Sequence, residues 1–314
     1  MGRELQRCLG SITNEQRKVY DVVMDVISND RGGMFFLYGH GGTGKMFLWK
    51  TLSLQFVPRE RLTTHSQFEL PINVHESSTW SISQQSPQTE LLIRAKLIIW
   101  DEAPMMCIYC FEALDKIMKS ILRGDKLFGG KVVVLGGDFR QILPVLLKAS
   151  RQDIVHATIN SSPMWNFCRV MKLTKNMRLE SCSSPSNVDE VKEFEDWILK
   201  VGNEDVGEQN NGKASIEIPD DMLIGDSEDP FRDLLEFVYS DLLSNMYDPD
   251  YFQGRAILAP TNECVECVNN HLMYLLPGEK KVYMSSDSMC RDEQTVEDNA
   301  EIYSTEFLNT IRCS

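Results

Sequence analysis

A chain of 314 residues is long enough for two domains, and its 42% hydrophobic and 25% charged residues are typical of a globular protein with a buried core. No apolar run approaches the ~18 residues that a membrane-spanning helix needs, so membrane insertion is not expected. The net charge of −14 divides unevenly, because residues 1–178 carry 23 Lys and Arg against 16 Asp and Glu, whereas residues 179–314 carry 9 against 30. A mildly basic first part is compatible with binding a polyanion.

The first predicted helix starts near Thr13, where "TNEQ" has the pattern of a capping box between Thr13 and Gln16. Apolar residues then recur at helical spacing up to Ile27. The short apolar run "MFFLYG" predicts a buried strand, and a helix is expected from Gly44 to about Gln55.

The loop "GHGGTGK" between this strand and helix fits the pattern G-x-x-x-x-G-K. Its glycines let backbone N–H groups turn around phosphate oxygens, the helix aims its positive end at them, and Lys45 reaches the outer phosphates. The sequence therefore predicts an ATP site built from the loop and its flanks, with these residues: Gly39, Gly41, Gly42, Thr43, Gly44, Lys45 and Met46.

Three further strands are expected downstream, after a polar loop over 69–91. "KLIIWDEAPM" ends in Asp101 and Glu102, "KVVVLGGDFRQILPV" leads to Gln141, and "VMKLTKNMRL" ends at Asn176 and Arg178. An amphipathic helix over 109–124 lies between the first two. Short apolar strands that alternate with helices and end in polar residues predict a parallel α/β sheet with its site along one edge.

The remainder of the chain is expected to form a second α/β unit. A helix is predicted over 191–202, an acidic loop over 202–230 and a helix over 231–243, followed by a strand at "RAILAP" and a helix beyond it. The expected organisation is a first domain of residues 1–178 and a partial second domain of residues 179–314.

The polar strand ends suggest roles in ATP hydrolysis. Asp101 is expected to help hold Mg²⁺ and Glu102 to activate the attacking water, although a pair of acids can also simply solvate a strand end. Gln141 is expected to sense the terminal phosphate and Arg178 to neutralise charge in the transition state. The alternatives are an exposed loop Gln and a surface ion pair.

The motifs "TNEQRKVYDVV", "FFLYGHGGTGK", "KLIIWDEAPM", "FGGKVVVLGGDFRQILPV", "LTKNMR", "DWILKVG" and "RAILAPTNE" resemble the Pif-one family of superfamily-one DNA helicases, and within it the plant, Helitron-like members. The resemblance implies a P-loop NTPase fold with a RecA-like parallel sheet flanked by helices, followed here by an incomplete second RecA-like domain. It also implies ATP as substrate, Mg²⁺ as cofactor and 5′-to-3′ movement on single-stranded DNA.

By the same resemblance, Gln16 matches the family's adenine-reading Gln, beside its capping role. His65 and Ser66, and Thr261 and Asn262, are similar to positions near the DNA path. Met46 departs from the family, which has a magnesium-binding Thr there, and a thioether is a poor ligand for this hard cation.

Two further departures concern length. Only 18 residues separate Lys45 from Thr64, and the helix after the loop uses ~12 of them, which leaves too few for the family's further edge strand and its DNA-touching Ser-Gly-Ile-Ala segment. The chain also ends before the family's last motifs.

The motifs predict an ATP-dependent helicase of DNA repair, recombination and telomere maintenance. The three departures from the family predict that its activity is impaired in this chain. The alternatives are a nucleotide-binding module without helicase activity and a decayed transposon-derived fragment.

Partners and location follow from the family. Single-stranded DNA and DNA forks are the expected partners, a monomer is the expected state, and the nucleus is favoured over the mitochondrion. The pairs Cys107/Cys110 and Cys264/Cys267 have C-x-x-C spacing, but each falls on an expected helix, where such cysteines are more often core residues than zinc ligands.

Overall fold

The structure is a computed structural model that describes residues 2–56, 86–146, 148–177, 185–203, 205–206, 215–224, 228–259, 261–278 and 281. The strands are β1 (Gly33–Tyr38), β2 (Leu97–Trp100), β3 (Val132–Gly137) and β4 (Cys168–Lys172). The helices are α1 (Gly2–Ser11), α2 (Asn14–Ser28), α3 (Lys45–Phe56), α4 (Pro87–Arg94), α5 (Ile108–Leu122), α6 (Arg151–His156), α7 (Pro185–Gly202), α8 (Pro230–Val238), α9 (Leu242–Asn245), α10 (Pro249–Gln253) and α11 (Asn262–Leu275).

The four strands form one parallel sheet in the order β2-β3-β1-β4. Phe36 of β1 pairs with Leu135 of β3 and with Val170 of β4, and Trp100 of β2 also pairs with Leu135. All four strands therefore point their carboxyl ends toward the same edge, which confirms the predicted α/β fold and brings the segments after β1, β2 and β3 together.

Both faces of the sheet are buried along β1 and β3, as expected for parallel strands joined by helices, whereas the edge strand β4 is largely exposed. Alternate residues of β1 point to opposite faces, so Phe36 packs with Trp100 and Phe111 of α5, whereas Leu37 packs with Val23 of α2 and Leu48 of α3. The inner strands of the sheet thus lie between two layers of helices.

Local capping explains two helix starts. The capping box at Thr13 and Gln16 is present, so the predicted start of α2 is confirmed. The loop predicted over 69–91 is wrong at its end, because α4 begins at Pro87. Ser86 accepts a hydrogen bond from the backbone N–H of Thr89 and Pro87 occupies the first turn, a cap whose pattern outweighs the polar composition.

Two strand predictions need correction. The fourth strand lies earlier than expected, since β4 ends at Lys172 and the segment to Met177 is irregular. The strand predicted at "RAILAP" is not formed in its described part, residues 255–259. A strand needs a neighbour to satisfy its backbone groups, and an apolar pattern does not supply one; Leu258 is 94% exposed.

The chain divides into two compact units, Met1–Glu217 and Ile218–Ser314. Helix α7 belongs to the first unit, whereas the predicted domain boundary falls before it, after residue 178. That boundary, and the assignment of residues 179–314 to a partial second domain, stay predictions. None of the described helices is both long and apolar enough to cross a lipid bilayer.

Candidate functional site

The loop between β1 and α3 has a shape that only glycine permits at two positions. Gly42 and Gly44 have φ angles of +87° and +78°, a region in which a side chain is strained. A Cβ on Gly42 would lie 2.4 Å from Oδ1 of Asn176, and a Cβ on Gly44 would lie 2.4 Å from Nε2 of Gln16. The loop is therefore packed tightly from two sides, by the segment after β4 and by α2.

Lys45 opens α3 and is only 8% exposed. Its ammonium donates to the backbone carbonyl of Gly39 at 2.5 Å and lies 3.5 Å from the carbonyl of His40. The Lys45 ammonium thus contacts the loop backbone, and the phosphate oxygens of a bound nucleotide would compete with these two carbonyls for its hydrogen bonds. Thr43 holds the turn closed, because its hydroxyl donates to the His40 carbonyl at 2.9 Å.

Gln16 is buried and links α2 to this loop. Its Nε2 donates to the carbonyl of Thr43 at 3.1 Å, and its Oε1 accepts from the backbone N–H of Thr13 at 3.1 Å. Both ends of the Gln16 amide are therefore hydrogen-bonded to the backbone, one of them in the capping box that the sequence predicts. A contact with adenine stays a prediction.

Asp101 and Glu102 directly follow β2 at the same edge of the sheet. Oδ1 of Asp101 and Oε2 of Glu102 are buried and have no hydrogen-bond partner in the part of the chain that the structure describes. Burial, and after it the neighbouring charge of Asp101, raises the pKa of the Glu102 carboxyl, while Lys45 acts in the opposite direction. The raised pKa follows from burial beside a second acid, and the nearby Lys45 offsets part of it.

These residues fit a magnesium ion held jointly by protein and nucleotide. Unpartnered carboxylate oxygens are the ligands that Mg²⁺ prefers, usually with waters and substrate phosphates completing its shell. Among the described residues, no cluster of three or more His, Cys, Asp or Glu could hold a metal ion without such help. Met46 offers only a thioether and is 67% exposed, so it adds no oxygen ligand.

Asp138 and Arg140, just after β3, form a buried ion pair that sequence reasoning passed over. Nε of Arg140 donates to Oδ1 of Asp138 at 2.9 Å, and the Arg140 guanidinium lies 5.5 Å from the centre of the Tyr38 ring. Burial alone would raise the pKa of Asp138, but the hydrogen bonds from Arg140 lower it. Both residues stand in the quoted motif "GGDFRQ", so the signal was visible as an acid and a base two residues apart.

The segment after β4 and helix α7 also contact the loop. The His40 ring lies 2.8 Å from the Gly41 carbonyl and 3.3 Å from the Thr174 carbonyl. Its Nδ1 is 3.9 Å from Oε1 of Glu195 on α7. Glu15 of α2 in turn accepts hydrogen bonds from the backbone and hydroxyl of Thr174. No sequence pattern announced these contacts, which join segments far apart in the chain.

The other predicted site residues are placed in part. Gln141 lies in an exposed turn, and its backbone N–H donates to the Asp138 carbonyl at 3.1 Å. Thr261 caps α11 in the second unit, where its hydroxyl accepts from the N–H of Cys264, and Asn262 is the first residue of that helix. Arg178, His65 and Ser66 lie outside the described residues.

Each C-x-x-C pair lies at or near the start of a helix. Cys107 and Cys110 flank the start of α5, and burial raises the pKa of the Cys110 thiol to about 12. Cys264 and Cys267 are exposed on α11. All four are free thiols.

Comparison with known proteins gives one consistent family. A family model described as PIF1-like helicase matches residues 11–63 and 56–212, well over half of the chain. The ATP-dependent DNA helicase RRM3 of Saccharomyces cerevisiae is 27% identical over 190 residues, which are 53% of this chain and 25% of the relative. The ATP-dependent DNA helicase PIF1 of Danio rerio is 27% identical over 150 residues, 43% of this chain and 22% of the relative. The matched stretch is thus about a quarter of either relative.

Solved structures agree on the fold. The Pif1 helicase of Candida albicans has a TM-score of 0.55 at 20% identity, covering 90% of this chain and 59% of its own. The Pif1 helicase from Bacteroides, solved with ADP-AlF3 and single-stranded DNA, has a TM-score of 0.54 at 20% identity, covering 84% and 57%. At this identity the likeness supports the architecture, and the role of each side chain has to be argued from its own surroundings.

Proposed function

The chain belongs to the PIF1-like helicase family, and from this premise we propose that it is an ATP-dependent DNA helicase whose motor site lies at the carboxyl edge of the sheet. One observation carries the proposal. Lys45 of the glycine loop is bonded to the Gly39 carbonyl, and Gly39 is hydrogen-bonded to Gly137, beside which Glu102 lies. Buried oxygens of Asp101 and Glu102 next to this loop have no partner among the described residues. A phosphate cradle facing unpaired carboxylates is the arrangement that a nucleotide–magnesium complex completes.

In this mechanism the loop N–H groups and Lys45 hold the outer phosphates of ATP. Asp101 would hold Mg²⁺ through water, and the bound ion would neutralise charge on the β- and γ-phosphate oxygens. Glu102 orients the attacking water and accepts its proton, a role favoured by the raised pKa of its buried carboxyl. Gln141 senses the terminal phosphate, and Arg178 stabilises the charge that develops during transfer.

The proposed substrate is single-stranded DNA, including the single strands of forked DNA, along which the motor moves 5′ to 3′ as a monomer. His65, Ser66, Thr261 and Asn262 are the proposed DNA contacts. Family resemblance supports action in the nucleus, in DNA repair, recombination and telomere maintenance. The helicase relatives favour this reading over a nucleotide-binding module unconnected with DNA or a decayed transposon-derived fragment.

We further propose that the chain is a Helitron-like, plant-type member with impaired turnover. Met46 removes one oxygen ligand for the metal. The family match is broken into two pieces that overlap at residues 56–63, which supports a deletion between α3 and residue Thr64. Without the family's edge strand, β2, the strand that leads into Asp101, would be the edge of the sheet.

The proposal is tested in two steps with the purified chain. A fluorescent ATP analogue should bind saturably in the presence of Mg²⁺, and absence of saturable binding would overturn the nucleotide site. Duplexes with a single 5′ tail or a single 3′ tail are then incubated with ATP. Slow unwinding of the 5′-tailed duplex alone is expected, whereas unwinding of the 3′-tailed duplex would contradict the proposed polarity.

A further inference from the structure

Three buried side-chain atoms lack a hydrogen-bond partner in the part of the chain that the structure describes: Nε1 of Trp49, Oδ1 of Asp101 and Oε2 of Glu102. Buried polar groups in folded proteins are nearly always hydrogen-bonded. One of these atoms can only donate and the other two, as carboxylate oxygens, can only accept. Their chemistry is therefore complementary.

The side chains of Trp49 and Asp101 both approach Gly136 at the end of β3, and Glu102 approaches the next residue, Gly137. A Cβ on Gly136 would lie 2.4 Å from Cζ2 of Trp49 and 3.3 Å from Oδ1 of Asp101. A Cβ on Gly137 would lie 3.5 Å from Oε2 of Glu102. Cζ2 adjoins the nitrogen-bearing side of the indole, so the indole edge and the Asp101 carboxylate meet above the same glycine, which has no side chain to separate them.

Helix α3 turns Trp49, and not Met46, toward this place. Lys45 and Trp49 are four residues apart and share a helix face, and both are buried at 8% and 6% exposure. Met46, on another face, extends into solvent. The helix therefore brings the buried indole N–H of Trp49 toward Asp101, about one helical turn beyond Met46, the position at which the family has a Thr hydroxyl.

We propose that Trp49 is a positioning residue for Asp101. Its indole N–H holds Oδ1 of Asp101 through one ordered water, and so keeps the carboxylate oriented toward the magnesium ion that the nucleotide complex would bring. A buried water of this kind takes two to four polar partners, and the indole N–H of Trp49 and Oδ1 of Asp101 supply two of them. The inference rests on the proposed function, since it assigns Asp101 a metal-holding role.

The first test needs no nucleotide. The indole N–H resonances of the ¹⁵N-labelled protein are assigned, and the signal of Trp49 is compared between the parent, Asp101→Asn and Asp138→Asn. Asp138 also follows β3 but is bonded to Arg140, so it serves as the control. A shifted Trp49 signal in Asp101→Asn alone is expected, and an unmoved signal there overturns the inference whether or not the chain binds ATP.

The second test measures what magnesium adds to nucleotide affinity. ADP binding is titrated with Mg²⁺ and with EDTA for the parent, for Trp49→Phe and for Trp165→Phe, which makes the same change on the opposite face of the sheet. Loss of an outer partner of a metal-holding carboxylate typically weakens metal binding by roughly tenfold or more. Trp49→Phe should therefore bind ADP about tenfold more weakly with Mg²⁺ and unchanged in EDTA.

The outcomes separate the two proposals. A parent that fails to bind ADP under both conditions contradicts the proposed function, and the indole signal still decides the role of Trp49. A Trp49→Phe protein that keeps the full gain from Mg²⁺ contradicts the positioning role, while the nucleotide site stands. Equal weakening in Mg²⁺ and EDTA would assign Trp49 a packing role only.

Discussion

Replacing Met46 by Thr should restore the oxygen ligand that the phosphate-binding loop lacks. Met46 lies in the first turn of α3 and is 67% exposed, so its removal costs little packing. Thr is a poorer helix former than Met by only about a few tenths of a kcal/mol. Folding should therefore tolerate the change.

The expected gain lies in turnover. Charge moves between the phosphate oxygens and the leaving group during hydrolysis, so a better-placed metal stabilises the transition state more than bound ATP. A single contact to a charged group contributes about 1.5–3 kcal/mol, and a barrier lowered by ~1.4 kcal/mol already gives a tenfold rate. Met46→Thr should raise ATP hydrolysis at least about tenfold, with a smaller change in ATP affinity.

The assay is phosphate release at saturating ATP and Mg²⁺, with ATP affinity measured separately. Met46→Val is the matched control, because Val has the shape of Thr and no hydroxyl. Val should leave the rate at the level of the parent. A Thr variant that binds ATP normally yet hydrolyses it no faster would refute the reasoning, and the placement of Arg178 would then limit the reaction.

Further predictions concern the loop, DNA and the buried ion pair. ATP at a hundredfold excess over its dissociation constant should stabilise the fold by about 2.7 kcal/mol, and Lys45→Ala should abolish most of that gain in thermal unfolding; a parent whose melting temperature ignores ATP would contradict the site. Binding of single-stranded DNA, measured by fluorescence anisotropy, should be weak and fall steeply with salt, and tight binding that salt barely changes would show that phosphate contacts are not its basis. Asp138→Asn should lower the free energy of unfolding at pH 7 by about 1.5–3 kcal/mol, because it weakens the charged hydrogen bonds from Arg140. Because the native pKa of Asp138 is lowered, its ionised form stabilises the fold above the unfolded pKa of about 3.9, and this stabilisation is lost as the pH falls through the native value. In denaturant titrations, the difference in unfolding free energy between parent and variant should therefore shrink below about pH 4. A difference that stays constant with pH would show that the ionised carboxylate is not its cause.

Local patterns predicted the core of the fold well. The capping box at Thr13, the apolar run of β1 and the glycine spacing of the loop are each encoded within a few residues, and the structure reproduces them. The parallel sheet followed from strands that end in polar residues, since their carboxyl ends must share an edge. These features depend on short-range geometry that one sequence contains.

The errors arose where a neighbour decides the outcome. Residues 255–259 have the apolar sequence pattern of a strand, yet no described strand pairs with them, so their backbone forms no regular secondary structure. Helix α4 was hidden within polar composition, although Ser86 and Pro87 carry a start signal that could have been read. The C-terminal shift of the fourth strand prediction reflects pairing with β1, which sets where β4 ends.

Sequence motifs predicted which residues belong to the candidate site, but not the contacts that these residues make. Acids after a strand have a known use, so the sequence predicted roles for Asp101 and Glu102, but the environment that leaves their oxygens unpartnered depends on packing across the sheet. The approach of Trp49 to Gly136 became visible only when α3 was packed against β3, whereas the bond between Arg140 and Asp138 joins residues that are close in sequence.

The central claim is that this chain carries an ATPase site whose hydrolysis is stimulated by single-stranded DNA. Its most direct test is the ATPase rate of the purified chain with and without single-stranded DNA. The account predicts a slow basal rate that rises when DNA is added, with both rates abolished in Lys45→Ala. Hydrolysis that DNA does not change would contradict the helicase assignment. Hydrolysis that survives loss of Lys45 would contradict the site itself.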